Sequence, residues 1–112
     1  MSWDAMTFAR AVLRELQRGD PAAAVLDVRA RGKTATLGLL DAGEWVPLLR
    51  FSHPSASFNV MSLDVRDGTR WAPTHRRGVP AVVAAALLGE LRFTWAMEAS
   101  SAPWQDTSDP QH

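Results

Sequence analysis

Asp67-Gly68 sits between two runs of alternating polarity, and no other feature of the chain restricts its fold as tightly. An Asp-Gly pair between strands is a strong short-range hairpin signal, because the central turn residues must tolerate positive φ. In the run before it, Phe58 to Arg66, Met61, Leu63 and Val65 fall on one face and Val60, Ser62 and Asp64 on the other. That is the period of a half-buried strand. Arg70 to Pro73 reads as a short returning strand.

The same period occurs upstream. From Ala22, residues Ala24, Leu26, Val28 and Ala30 alternate with Val25, Asp27, Arg29 and Arg31, which predicts a first strand. Gly32-Lys33 turns the chain, Thr34 to Leu40 forms a second strand, and Asp41 to Glu44 turns it again. Trp45 to Phe51 is a third strand, in which Pro47 calls for an edge position or a bulge. Ser52 to Ser57 is a loop by composition.

Helices flank these strands. Met6, Ala9, Leu13 and Leu16, with Val12 beside them, share one face of an amphipathic helix over Trp3 to Arg18, opposite Arg10, Arg14, Gln17 and Arg18. Gly19-Asp20-Pro21 ends it, with glycine expected in the left-handed cap conformation. Gly78-Val79-Pro80 opens a second helix, expected to continue through Leu87, Leu88 and Leu91 to about Trp95, with Gly89 as its weak point. The fold class is α+β: an N-terminal helix, an antiparallel sheet of about four to five strands and a C-terminal helix. Residues 1–98 are expected to form this single domain, and 99–112 a flexible polar tail anchored by Trp104. Both helices are expected on one sheet face, leaving the other to solvent, a ligand or a second subunit.

With 112 residues there is room for one core. Twelve basic residues balance twelve acidic ones, so no global positive field exists. Between Arg29 and Arg92, however, the acids are only Asp41, Glu44, Asp64, Asp67 and Glu90. Every basic residue except Lys33 is arginine, which favours forked or stacked contacts. The absence of cysteine excludes disulfides, thiolate nucleophiles and zinc-thiolate sites. No apolar run approaches a membrane span, so a cytoplasmic protein without a membrane partner is expected.

No motif names a reaction. Gly32-Lys33-Thr34 resembles the end of a phosphate-binding loop, but the position five residues earlier is Asp27 rather than glycine, and a hairpin turn accounts for it. His53, His75 and His112 lack ligand spacing. No catalytic residue, cofactor or metal site is therefore expected. Asp27 and Asp64 are expected to pair with arginines on neighbouring strands. Trp3 and Trp95 are expected in the core or a subunit contact, and Trp45 and Trp71 either buried or able to stack on a partner. The candidate site is the basic and aromatic stretch after the hairpin, Arg66, Arg70, Trp71, His75, Arg76 and Arg77, a combination suited to single-stranded nucleic acid.

Over Trp45 to about Leu91 the chain resembles the positive cofactor four family of single-stranded DNA-binding proteins. Leu63-Asp64-Val65-Arg66 is similar to that family's apolar, Asp, apolar, Arg strand. Trp71-Ala72-Pro73-Thr74-His75 and Arg76-Arg77-Gly78-Val79 follow in the family's order, ahead of a helix with Leu87, Leu88 and Leu91. The resemblance implies a curved four-stranded sheet, a helix-paired homodimer, and single strands crossing the exposed sheet over Arg66, Trp71, Arg76 and Arg77. The chain departs from the family in its Val79-Pro80-Ala81 helix start, its neutral charge, its added N-terminal helix and an additional strand. The expected function is a non-enzymatic, dimeric single-stranded nucleic-acid-binding protein. The alternative is a protein-interaction module, such as a small chaperone, immunity protein or inhibitor.

Overall fold

The first helix, α1, spans Ala5–Gly19 in a computed structural model that describes residues 4–52 and 60–100. Asp4 caps it: its carboxylate accepts the Thr7 N–H at 2.7 Å, and that bond holds the carboxyl below its ordinary pKa. Phe8, Val12 and Leu16 form the buried ridge, with Ala5 and Ala9 beside them. The stripe is rotated from the expected one, so Met6 and Leu13 lie half-buried at its margin. The left-handed cap expected at Gly19 is absent, since positive φ among glycines occurs at Gly32, Gly43 and Gly68. Gly19 instead permits close packing, because a Cβ there would lie 2.8 Å from Leu88 Cδ1.

Asp20 caps the next element too, accepting the Ala22 N–H at 3.0 Å. Pro21–Val25 is therefore a 3-10 turn rather than the start of a strand. Proline fits the first turn, and the alanines that follow have little strand preference.

Five antiparallel strands follow in meander order, β1 (Asp27–Arg31), β2 (Thr34–Asp41), β3 (Glu44–Ser52), β4 (Met61–Asp67) and β5 (Arg70–Gly78). Pro47 lies in the central strand, and the bulge alternative applies: the register slips at Leu48, and Gly38 opposes Pro47. A Cβ on Gly38 would stand 2.2 Å from the Val46 carbonyl oxygen, so only glycine fits the bulge. The β4–β5 hairpin forms one residue later than the Asp-Gly reading implies. Asp67 pairs with Arg70, and the two turn residues are Gly68 and Thr69. Only Gly68 has positive φ (64°), the pattern of a turn with glycine in first place. The expected loop 53–57 and the strand start at Phe58 lie outside the described residues, as do Trp3, Trp104, His112 and tail residues 101–112.

β5 also runs further than expected, through the basic stretch. Leu63 opposes Arg76 while Asp64 opposes Pro73, which leaves Thr74 and His75 as extra residues. Thr74 bridges the gap, its hydroxyl donating to the Leu63 carbonyl at 2.7 Å and accepting the Arg76 N–H at 3.0 Å. His75 takes φ 61° there.

The second helix, α2 (Pro80–Leu88), stops at Gly89 and does not reach Trp95. The chain folds back through a 3-10 turn, Arg92–Thr94, into α3 (Ala96–Ser100). Trp95 becomes fully buried, and its indole N–H donates to the Leu87 carbonyl at 2.8 Å. Ala99, in α3, is fully buried. α1 and α2 pack against one another, with α1 over β1 to β3 and α2 against β5.

Asp20, 7% exposed, also receives Arg92, tying the end of α1 to the turn before α3. The Arg92 guanidinium holds the Asp20 carboxyl below its ordinary value, assisted by the Ala22 N–H. A lowered carboxyl pKa stabilises the fold above the unfolded value of about 4 and loses that contribution as pH falls through the folded value. Thermal melts of wild type should therefore weaken below about pH 4. Asp20→Asn, which keeps a cap acceptor but no charge, should show a shallower decline over that window, and Asp20→Ala should lose about 1 kcal/mol or more at neutral pH. Trp95→Ala should cost about 3–5 kcal/mol in denaturant titrations, with loss of the buried-tryptophan emission.

Candidate functional site

Strand alternation divides the sheet into two chemically different faces. Ala35, Leu37, Leu49, Phe51, Met61 and Leu63 turn toward the helices and are buried. Their neighbours turn the other way, where the register sets Arg29 beside Thr36, Thr36 beside Arg50, and Arg50 beside Asp64. One residue pair further along, Arg66 opposes Trp71. Among the described residues no helix covers this face.

A shallow groove of about 550 Å³ runs over it, lined chiefly by Arg29, Arg31, Arg50, Arg66, Trp45 and Trp71, with Thr34 and Thr36 on its bed. Arg29 stacks over Trp45, its guanidinium carbon 4.3 Å from the ring centroid. Arg50 and Arg66 approach the Trp71 ring at 4.9 and 5.2 Å. Both tryptophans are half-buried. Arg50 is neutralised by Asp64, which accepts from its Nε at 3.1 Å and its Nη2 at 2.6 Å. This is the cross-strand pair expected for Asp64. Arg29, Arg31 and Arg66 form no ion pair with any described residue.

Magnitudes favour an exchange of stacking partners in this groove. An exposed cation–π contact is worth about 0.5–1 kcal/mol. A base stacked on an aromatic side chain contributes about 1–3 kcal/mol, enough to displace the arginine. A displaced guanidinium still presents its forked donors to an anionic oxygen.

The six residues singled out from the sequence are not brought together. Arg66 and Trp71 lie in the groove. Arg70 opposes Asp67 at the hairpin end and by alternation projects from the opposite side to Trp71. Arg76 turns to the helix side and forms an ion pair with Glu90. His75, Arg76 and Arg77 together line a separate depression of about 390 Å³ with Pro73, Asp64 and Ser62.

Arg29, Arg31, Arg50 and Trp45 are groove residues outside that set. Their signal was the alternation in β1 and β3, which places Asp27, Arg29 and Arg31 on one face. A search for contiguous basic stretches does not find residues assembled from four strands.

Among the described residues no group of three or more His, Asp or Glu side chains is placed to hold a metal ion, and no helix is long and apolar enough to cross a membrane. Comparison of the chain with protein family models, with curated proteins and with solved structures found no match.

Proposed function

We propose that the open sheet face binds single-stranded nucleic acid without chemical conversion, stacking bases on Trp45 and Trp71 and holding phosphates with Arg29, Arg31 and Arg66. One observation carries this reading: two half-buried indoles, each beneath a guanidinium, line one groove with three arginines that have no carboxylate partner among the described residues. The resemblance to the positive cofactor four family supports it at Arg66 and Trp71. Arg50 serves as a positioning residue, because its charge is already offset by Asp64. On the same reading His75 and Arg77 form a flanking contact in the depression that Arg76, held by Glu90, also lines, whereas Arg70 falls outside both.

A neutral chain makes the attraction local. With three to four phosphates engaged, the affinity should fall with a log–log salt slope of roughly −2 to −3, the value for single strands. Anisotropy of a labelled oligothymidine should therefore rise with protein at low salt and collapse at high salt. Trp45→Ala and Trp71→Ala should each weaken binding by about 1–3 kcal/mol. Arg29→Ala combined with Arg31→Ala should weaken it and flatten the salt slope, while Arg70→Ala should leave both unchanged. No anisotropy change at low salt, or indifference to both tryptophans, would sink the reading.

A further inference from the structure

The pairing register sets five residues in a row across the open face of the sheet: Arg31 opposes Thr34, Thr34 opposes Ser52, Ser52 opposes Ser62, and Ser62 opposes Arg77. At about 4.8 Å per strand the row is roughly 19 Å long. It joins two hollows, since Arg31 and Thr34 line the open-face groove and Ser62 and Arg77 the depression beside it. Ser52 lies between them.

The ends of this row differ in chemistry from its middle. Arg31 and Arg77 are exposed and form no ion pair with any described residue, so both ends suit phosphate. The half-buried hydroxyls between them turn their protons to the protein. Thr34 Oγ1 donates to the Arg31 carbonyl at 3.0 Å, and Ser62 Oγ donates to the Ser52 carbonyl at 3.0 Å. With its single proton used in this way, Ser62 Oγ accepts from Ser52 Oγ at 3.3 Å.

What the middle of the row offers a ligand is therefore oxygen lone pairs. Asp64, next to Ser62 on the same face, adds a carboxylate whose charge Arg50 offsets. Unprotonated phosphate oxygens meet only like partial charge there, whereas a group that donates a proton is matched to it.

We infer that this row selects RNA over DNA, the ribose 2′-hydroxyls donating to Thr34, Ser52 and Ser62 while Arg31 and Arg77 hold phosphates at either end. The inference rests on the nucleic-acid reading of the open face and adds recognition of the sugar to it. The 2′-hydroxyl is the donor that an RNA backbone carries and a DNA backbone lacks.

The test is anisotropy of the full chain with labelled oligouridine, the same oligomer built on 2′-deoxyribose, and its 2′-fluoro form, which keeps a ribose-like pucker without a donor proton. Oligouridine is expected to bind about five- to tenfold more tightly than either of the others, the effect of one or two net hydrogen bonds. Thr34→Val and Ser62→Ala, each checked for folding by circular dichroism, should lower oligouridine affinity toward the deoxy value and leave the deoxy oligomer unchanged. Arg77→Ala should weaken all the oligomers alike.

Equal affinity for the ribo and deoxy oligomers would overturn the inference and leave the open-face reading standing. An advantage kept by the 2′-fluoro form would assign it to sugar pucker, and one kept by both hydroxyl variants would assign it to another surface; either result overturns the proposal. Equal losses for ribo and deoxy oligomers in the variants would give the hydroxyls a structural role and overturn it too. Absence of binding by all the oligomers at low salt would remove the open-face reading and this inference with it.

Discussion

Packing of the α1 ridge onto the centre of the sheet is the contact on which the rest of this molecule depends. Phe8 meets Phe51 with ring centroids 5.6 Å apart and planes inclined by 53°. Val12 and Leu16 extend the ridge within a core that includes Leu37, Leu49 and Leu63. Burying these side chains on one face commits every strand to a register, because a slip of one residue would carry the whole apolar set to the opposite side. The arginines and tryptophans of the open face are therefore placed indirectly, by what their neighbours bury.

The irregularities in the sheet are what give that face its shape. β3 and β4 pair only from Leu49 to Ser52, next to the Leu48 bulge and Pro47, and beyond that pairing the groove is lined by Trp45, Pro47 and Arg66. On β5, the Thr74 side chain stands in for missing ladder bonds, and pairing resumes at Arg76. That second bulge also separates the basic stretch, turning Arg76 toward Glu90 and away from the groove that holds Arg66.

Local rules were most readable where a backbone conformation favours one residue type, or where a period repeats over many residues. The turns at Gly32, Gly43 and Gly68, the helix start at Pro80 and the helical period of α1 were all legible in this way. The readings that failed involve competition between neighbours. Alternation over Ala22 to Leu26 lost to the Asp20 cap, and the expected continuation of α2 to Trp95 lost to Gly89 and to the burial of the indole. Trp95 gains more by folding back, where its N–H finds the Leu87 carbonyl, than by extending an alanine-rich helix into solvent.

The sequence by itself determined the class of the protein: a meander of half-buried strands between two helices, without cysteine chemistry and with arginine as nearly its whole basic complement. Periodicity and turn chemistry act over a few residues, and those distances are written directly in the chain. Only the tertiary structure decided which basic residues stand together. Arg29, Arg50, Arg66 and the two indoles come from four strands, and their proximity rests on cross-strand register and two bulges. The contiguous run from Arg70 to Arg77 is split for the same reason: alternation sends successive side chains to opposite faces, so neighbours in sequence become strangers in space.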